Sequence, residues 1–277
     1  MALTFPLDVE SCMLAAGRRY ADSPNVMTHQ AYEPQVGVPR ILDMLAACGV
    51  KATFFVPGWS ADHWPRMVEG ILEGGHEVAH HSYSHRIPTG MSEAEERADF
   101  ERGLASLAKF GIKPTGHRAA TWTPRWTTAS LVAEHGLLYE TNLMDDDKPY
   151  LLETGRGDIV ELPPHWSLDD YSQYAFMWDP EIGHNVESPL KAIEVWRLEL
   201  EAMRDYGCLL QLTCHPFLSG RPARVKALRG LIEHAQKLGD IEILTCDEIA
   251  RRALKDPSLP KRPHKPLVVD PALYPTL

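Results

Sequence analysis

The segment GHEVAHHSYSHRIP, residues 75–88, holds four of the chain's thirteen histidines: His76, His80, His81 and His85. Imidazoles serve both as metal ligands and as acid–base groups near neutral pH, so the chemistry depends on which of them reach a common point. If HEVAH is a strand, His76 and His80 lie at its two ends, about 13 Å apart, and cannot share an ion. If HSYSH forms a turn of helix, His81 and His85 are i, i+4 neighbours with Cβ atoms about 6 Å apart. That spacing suits two imidazoles on one divalent cation, with a carboxylate completing the set. By itself such a pair also reads as a hydrogen-bonded surface turn. Asp8 and Glu10 follow the apolar run ALTF, and His215 follows LLQLTC. Two residues apart, Asp8 and Glu10 on a strand would project to one side; alternatively they are a solvated strand end. Two carboxylates and two imidazoles near strand ends are what a hydrolytic metal site needs. One set holds the ion and a spare carboxylate takes a proton from water.

These residues must be positioned by the elements around them. Apolar runs with strand character (ALTF, KATFFVPG, HEVAHH, DIVELPP, CLLQLTCHP) alternate with helical stretches. Among the latter, VPRILDMLAACGV carries helical spacing at Val38, Ile41, Leu42 and Leu45 and ends at Gly49, a C-cap residue. Ser92 offers an N-cap to an acidic first turn. Repeated β–α–β units with short loops predict an α/β fold, a parallel sheet covered by helices, open or closed as a barrel. In such folds ligands sit at the carboxyl ends of the strands, which is where Asp8, the histidine cluster and His215 fall.

With 277 residues the chain fits one large domain, and a core of that size needs no disulfide or metal staple. The net charge of −10 excludes the nucleic-acid binders. Five cysteines without a C-x-x-C predict free thiols rather than a disulfide framework. MALTFPLDVE has neither the basic nor the long apolar region of a secretory signal, and no run spans a membrane, so a cytoplasmic protein is expected. Residues 1–254 are expected to form one catalytic barrel domain. Residues 255–277, rich in proline, read as an extended arm that frays or wraps a neighbouring subunit, hence a homo-oligomer.

Five ordered stretches, VPRILDMLAACGVKATFFVPG, GGHEVAHHSYSH, GHRAATW, LPPHWSLDDY and LTCHPFLSGRP, resemble the polysaccharide deacetylase, or NodB-homology, family. The likeness is to its subgroup of peptidoglycan deacetylase-like proteins without signal peptides, cyclic imide hydrolases and allantoinases. The resemblance implies a deformed (β/α) barrel that often carries Zn²⁺ or another divalent ion. It implies that His81 and His85 form the metal pair, that Arg118 orients the catalytic carboxylate, and that His215 gives a proton to the leaving amine. Trp166 with Asp169 or Asp170 matches the aromatic–acid motif beside the site, and Ala120 stands where proline is usual. The first motif departs from the family. Aligned without gaps, FPLDVES puts Pro6 at the base position and Asp8 at the ligand position, with Glu10 as a third acid. A second register makes Asp8 the base and Glu10 the ligand. Proline takes no proton, so either Glu10 replaces the base or the chemistry differs from ordinary deacetylation.

Of the seven tryptophans, Trp122, Trp166 and Trp178 fall in loops after strands, where they could wall a pocket. Arg221 could grip a substrate carboxylate, and is equally read as a surface turn. Dinucleotide, phosphate-loop and serine-hydrolase motifs are not found. The expected function is hydrolysis of a non-peptide carbon–nitrogen bond in a small amide or cyclic imide. Asp8, His81 and His85 would hold a divalent metal, Asp8 or Glu10 would serve as base and His215 as acid, and Trp122, Trp166, Asp169 and Arg221 would face the substrate. N-deacetylation of N-acetylated sugars is the rival, and a non-catalytic binding descendant the second alternative.

Overall fold

The computed structural model describes residues 1–184, 186–270 and 272–273. Nine strands occur among them: β1 (Ala2–Pro6), β2 (Thr53–Val56), β3 (Glu77–His80), β4 (Gly116–His117), β5 (Tyr139–Glu140), β6 (Tyr150–Glu153), β7 (Asp158–Glu161), β8 (Gln211–Thr213) and β9 (Lys261–Pro263). They follow the order β8-β1-β2-β3-β4-β5-β7-β6-β9. Every pairing is parallel except β6 with β7. At the free side of β8, Asp169 forms a parallel bridge to Thr213, and the Asp170 amide donates to the Thr213 carbonyl at 3.0 Å. The chain leaving β7 thereby completes the ring, and the fold is a deformed (β/α) barrel.

Strands such as TFFV are buried throughout and mostly apolar because both faces are covered. Ala2, Phe55, Ala79, Tyr139, Val160 and Leu162 pack inside the barrel with Cys246 and Ala250. Outside, Leu3, Phe5, Phe54 and Leu212 meet helices, among which the longest are Glu93–Ala108 (α1), Pro189–Tyr206 (α2) and Pro222–Leu238 (α3). The helix Val38–Cys48 buries Val38, Ile41, Met44 and Leu45, close to the expected stripe, and ends at Gly49 with φ 67°. Ser92 caps α1 in a full capping box with Glu95.

The C-terminal segment departs from a free arm. Lys261–Pro263 adds a parallel strand to β6 of its own chain, and Arg262 lies over the Tyr150 ring and pairs with Asp145 and Asp146. Those aspartates, in a stretch with no other role evident in sequence, thus anchor the tail. Pro271 and residues 274–277 of the expected arm lie outside the described residues. Among the described residues no helix is long and apolar enough to cross a membrane.

Candidate active site

Asp8, His81, Arg118 and His215 follow β1, β3, β4 and β8 at their carboxyl ends, and together line one cavity of about 350 Å³. Pro6, Cys12, His85, Trp122, Trp166, Asp169, Tyr171, Ile182 and Thr213 also line it.

Residues 81–85 are not helical. Ser82 and His85 both take positive φ, 58° each, and the loop turns back on itself. Asp99 of α1 holds the turn, accepting the Tyr83 and Ser84 amides at 3.1 and 3.3 Å. The two imidazoles still converge, with ring centroids 5.1 Å apart. His81 Nε2 lies 3.4 Å and His85 Nε2 3.2 Å from the Asp8 carboxylate. The edge of a tetrahedron with metal–ligand bonds of 2.0–2.1 Å is about 3.3 Å, so these separations suit a shared divalent ion. Two further observations fit one. His81 Nδ1 donates to the Arg118 carbonyl at 2.6 Å, which leaves the Nε2 lone pair facing Asp8. Asp8 Oδ1 is buried without a hydrogen-bond partner. Burial acts to raise the Asp8 pKa, but His85 and His81 outweigh it and hold the carboxyl well below its ordinary range. Burial lowers His81, so the imidazole is neutral. An ionised carboxylate and a neutral imidazole are the states a metal requires.

All five non-glycine residues with positive φ among the described residues lie in the cavity loops: Val9, Ser82, His85, Thr121 and Trp122. Each such conformation costs about 1–3 kcal/mol and persists only where its surroundings enforce it. Part of that enforcement comes from Gly103 of α1, whose added Cβ would overlap the Ser82 carbonyl and crowd the His80 ring. Gly103→Ala gains helix propensity of about 1 kcal/mol, yet should lose stability overall by about 1–3 kcal/mol through overpacking. It should also weaken metal binding, as read from the denaturant midpoint and a chelator competition; unchanged metal affinity would mean that α1 does not set the loop.

His215 sits between two carboxylates that sequence could not tell apart. Its Nδ1 donates to Asp170 at 2.7 Å, and both Asp170 oxygens accept its backbone amide at 2.9 Å. Asp169 lies 3.6 Å from Nδ1 and lines the cavity. Burial acts to lower His215, but Asp169 and Asp170 outweigh it and raise its pKa to about 10. The ring is therefore protonated, and its Nε2 faces the Asp8 side at 3.8 Å. Burial raises the Asp169 pKa to about 6, with His215 opposing and Asp170 reinforcing the shift.

Several expected residues fall elsewhere. Strand β1 ends at Pro6, and Val9 at φ 43° turns the chain. Glu10 then begins a helix rather than pointing beside Asp8, and its carboxylate accepts the Trp64 indole N–H at 2.9 Å, outside the cavity lining. Arg221 lies 3.6 Å over the Tyr32 ring and donates to the Phe217 carbonyl, also away from the cavity. Trp178 is 89% exposed. Trp122 and Trp166 do wall the mouth, edge to face at 4.9 Å. Of the clustered histidines, His76 accepts the Ala52 amide at the opposite end of β3. His80 is buried against His117 and Phe100.

Glu33 was not singled out by any spacing. Wholly buried, it accepts the Val9 amide at 3.1 Å and the Phe217 amide at 3.4 Å, so one carboxyl ties the Asp8 loop to the His215 loop. Burial and then Asp8 raise its pKa well above the carboxylate range. Cys12 is likewise raised by burial, then Asp8 and Glu33, and stays a thiol rather than a nucleophile.

The profile of the polysaccharide deacetylase family matches residues 26–139. A solved structure from Mycobacterium smegmatis, classed with the polysaccharide deacetylases, is 44% identical; the match covers 97% of this chain and 93% of that one, with a TM-score of 0.91. The chain belongs to the polysaccharide deacetylase family. As a family member it is a hydrolase of carbon–nitrogen bonds other than peptide bonds. The peptidoglycan deacetylase of Helicobacter pylori is 29% identical, over 84% of this chain and 89% of its own length. The Puue allantoinase structure shares the fold alone, at 22% identity and a TM-score of 0.81 over 92% of this chain and 90% of that one. In this deacetylase-family chain two groups among the described residues could hold a metal ion, Asp8 with His81 and His85, and Asp169 with Asp170 and His215; in the second, the hydrogen bond from His215 Nδ1 to Asp170 already occupies the shared side.

Proposed function

We propose that this deacetylase-family hydrolase cleaves a small amide or cyclic imide with a divalent ion, zinc by its ligand chemistry, held by Asp8, His81 and His85. The observation that carries this reading is the cavity. At about 350 Å³, walled by Trp122, Trp166, Tyr171 and Ile182, it is at the small end for ligand sites and suits a compact molecule better than a polymer strand. The chemistry that a divalent ion supplies in such a set is Lewis acidity toward the amide carbonyl and the attacking water. The chain supplies the proton transfers. Asp8 and Asp169 are the two carboxylates that line the cavity, and with Asp8 engaged as ligand, Asp169 takes the proton of the attacking water. His215, protonated and oriented by Asp170, gives its Nε2 proton to the departing nitrogen as the C–N bond breaks.

Asp169→Asn should lower kcat by about 10²–10⁴ with metal content unchanged. The groups facing Asp169 are His215, Asp170, Arg118 and Tyr171. Because a base works deprotonated and Asp169 is raised to about 6, kcat/KM of the wild type should fall as pH drops through that value. Asp169→Asn should abolish that acid limb; a limb left in place assigns it to another group.

A second reading, deacetylation of an N-acetylated sugar, is favoured by the likeness to the peptidoglycan deacetylase of Helicobacter pylori. A paired assay with metal supplied separates them: cyclic imides, hydantoins and allantoin on one side, N-acetylglucosamine oligomers on the other. Ring opening supports the small-amide reading. Acetate release from the oligomers alone overturns it.

A further inference from the structure

Arg118 is only 2% exposed, yet it lines the catalytic cavity. A desolvated guanidinium ordinarily lies against a carboxylate, since an unpaired buried charge costs several kcal/mol. Among the described residues Arg118 makes no ion pair. Its terminal nitrogens donate only to two hydroxyls, Thr4 Oγ1 at 3.2 Å and Thr213 Oγ1 at 3.4 Å, and its Nε is buried without an acceptor. The next inward position along β1 after Thr4 is Pro6, which offers neither charge nor acceptor. Beside Arg118, with the guanidinium carbon 5.4 Å from its ring, Trp122 also lines the cavity and also buries a donor, Nε1, without an acceptor. Two unsatisfied donors of this kind in one wall are rare in folded proteins and call for a partner.

We infer that Arg118 and Trp122 form an anion subsite within the catalytic cavity, and that the substrate is an amide or imide bearing a carboxylate. The guanidinium supplies charge and parallel N–H donors, a match for a carboxylate, and the Trp122 indole adds a third donor. The inference rests on the hydrolytic reading above for the word substrate; the subsite itself rests on the unpaired donors.

The test is calorimetric titration of the zinc-loaded full chain with malonamate, succinamate and glutaramate, each against its neutral diamide. At least one monoacid should bind tenfold or more tighter than its diamide. That preference should disappear in Arg118→Met and survive in weakened form in Arg118→Lys, which keeps the charge but loses the fork; circular dichroism checks the fold of both. Equal affinity of acids and diamides in the wild type overturns the inference, as does failure of every monoacid to bind. A preference that persists undiminished in Arg118→Met also overturns it, by placing the carboxylate on the ion. A preference without turnover of any amide would refute the hydrolytic reading while leaving the subsite standing.

Discussion

His81→Ala is expected to yield a folded protein that no longer retains about one divalent ion per chain and has lost nearly all activity. Removing a partner that merely orients a ligand costs about 10–100-fold in metal affinity or activity, so removing the ligand itself should exceed that range. The fold should survive, because the barrel interior and the outer helix layer are packed apolar clusters that do not depend on an ion. Elemental analysis, thermal unfolding and a turnover assay of the purified wild type and variant read all three quantities. His76→Ala provides the internal control: at the opposite end of β3, it should leave metal content unchanged. A wild type that is metal-free and fully active would falsify the metal mechanism outright.

The second large effect belongs to His215. Removing a positioned general acid costs about 10²–10⁴ in rate, so His215→Asn should fold normally and turn over slowly by that factor. The loss should shrink for substrates whose leaving group departs without protonation. Equal loss on good and poor leaving groups would assign His215 to binding instead. Asp170→Asn tests the orientation separately: it removes the charge that His215 Nδ1 donates to across 2.7 Å and should lower kcat with little change in KM.

Much of this site was legible from the sequence because it depends on local order. Strands announce themselves as short apolar runs, parallel strands place ligands at their carboxyl ends, and shortly past ALTF, HEVAH and LLQLTC stand Asp8, His81 and His215. The capping box at Ser92 and the stop at Gly49 are equally local. The barrel, and the family, follow from the same ordered stretches.

What the tertiary structure alone decided are the features set by backbone turns and by partners distant in the chain. Strand alternation would set Glu10 beside Asp8 as a second carboxylate. A positive φ at Val9 breaks it, and Trp64, fifty-four residues on, claims the carboxylate. His81 and His85 meet through two left-handed turns enforced by Asp99 and Gly103, not through a helix. Asp169 and Asp170 are adjacent in sequence, yet one bridges to β8 and opens into the cavity while the other is sealed against His215. The burial of Glu33 and the unpaired state of Arg118 are likewise invisible in the residues around them. Composition and periodicity specify which face a residue takes; only the closed barrel decides which charges lose their water and which meet: burial raises Asp169 and lowers Arg118, while at Asp8 and His215 the neighbouring charges outweigh it.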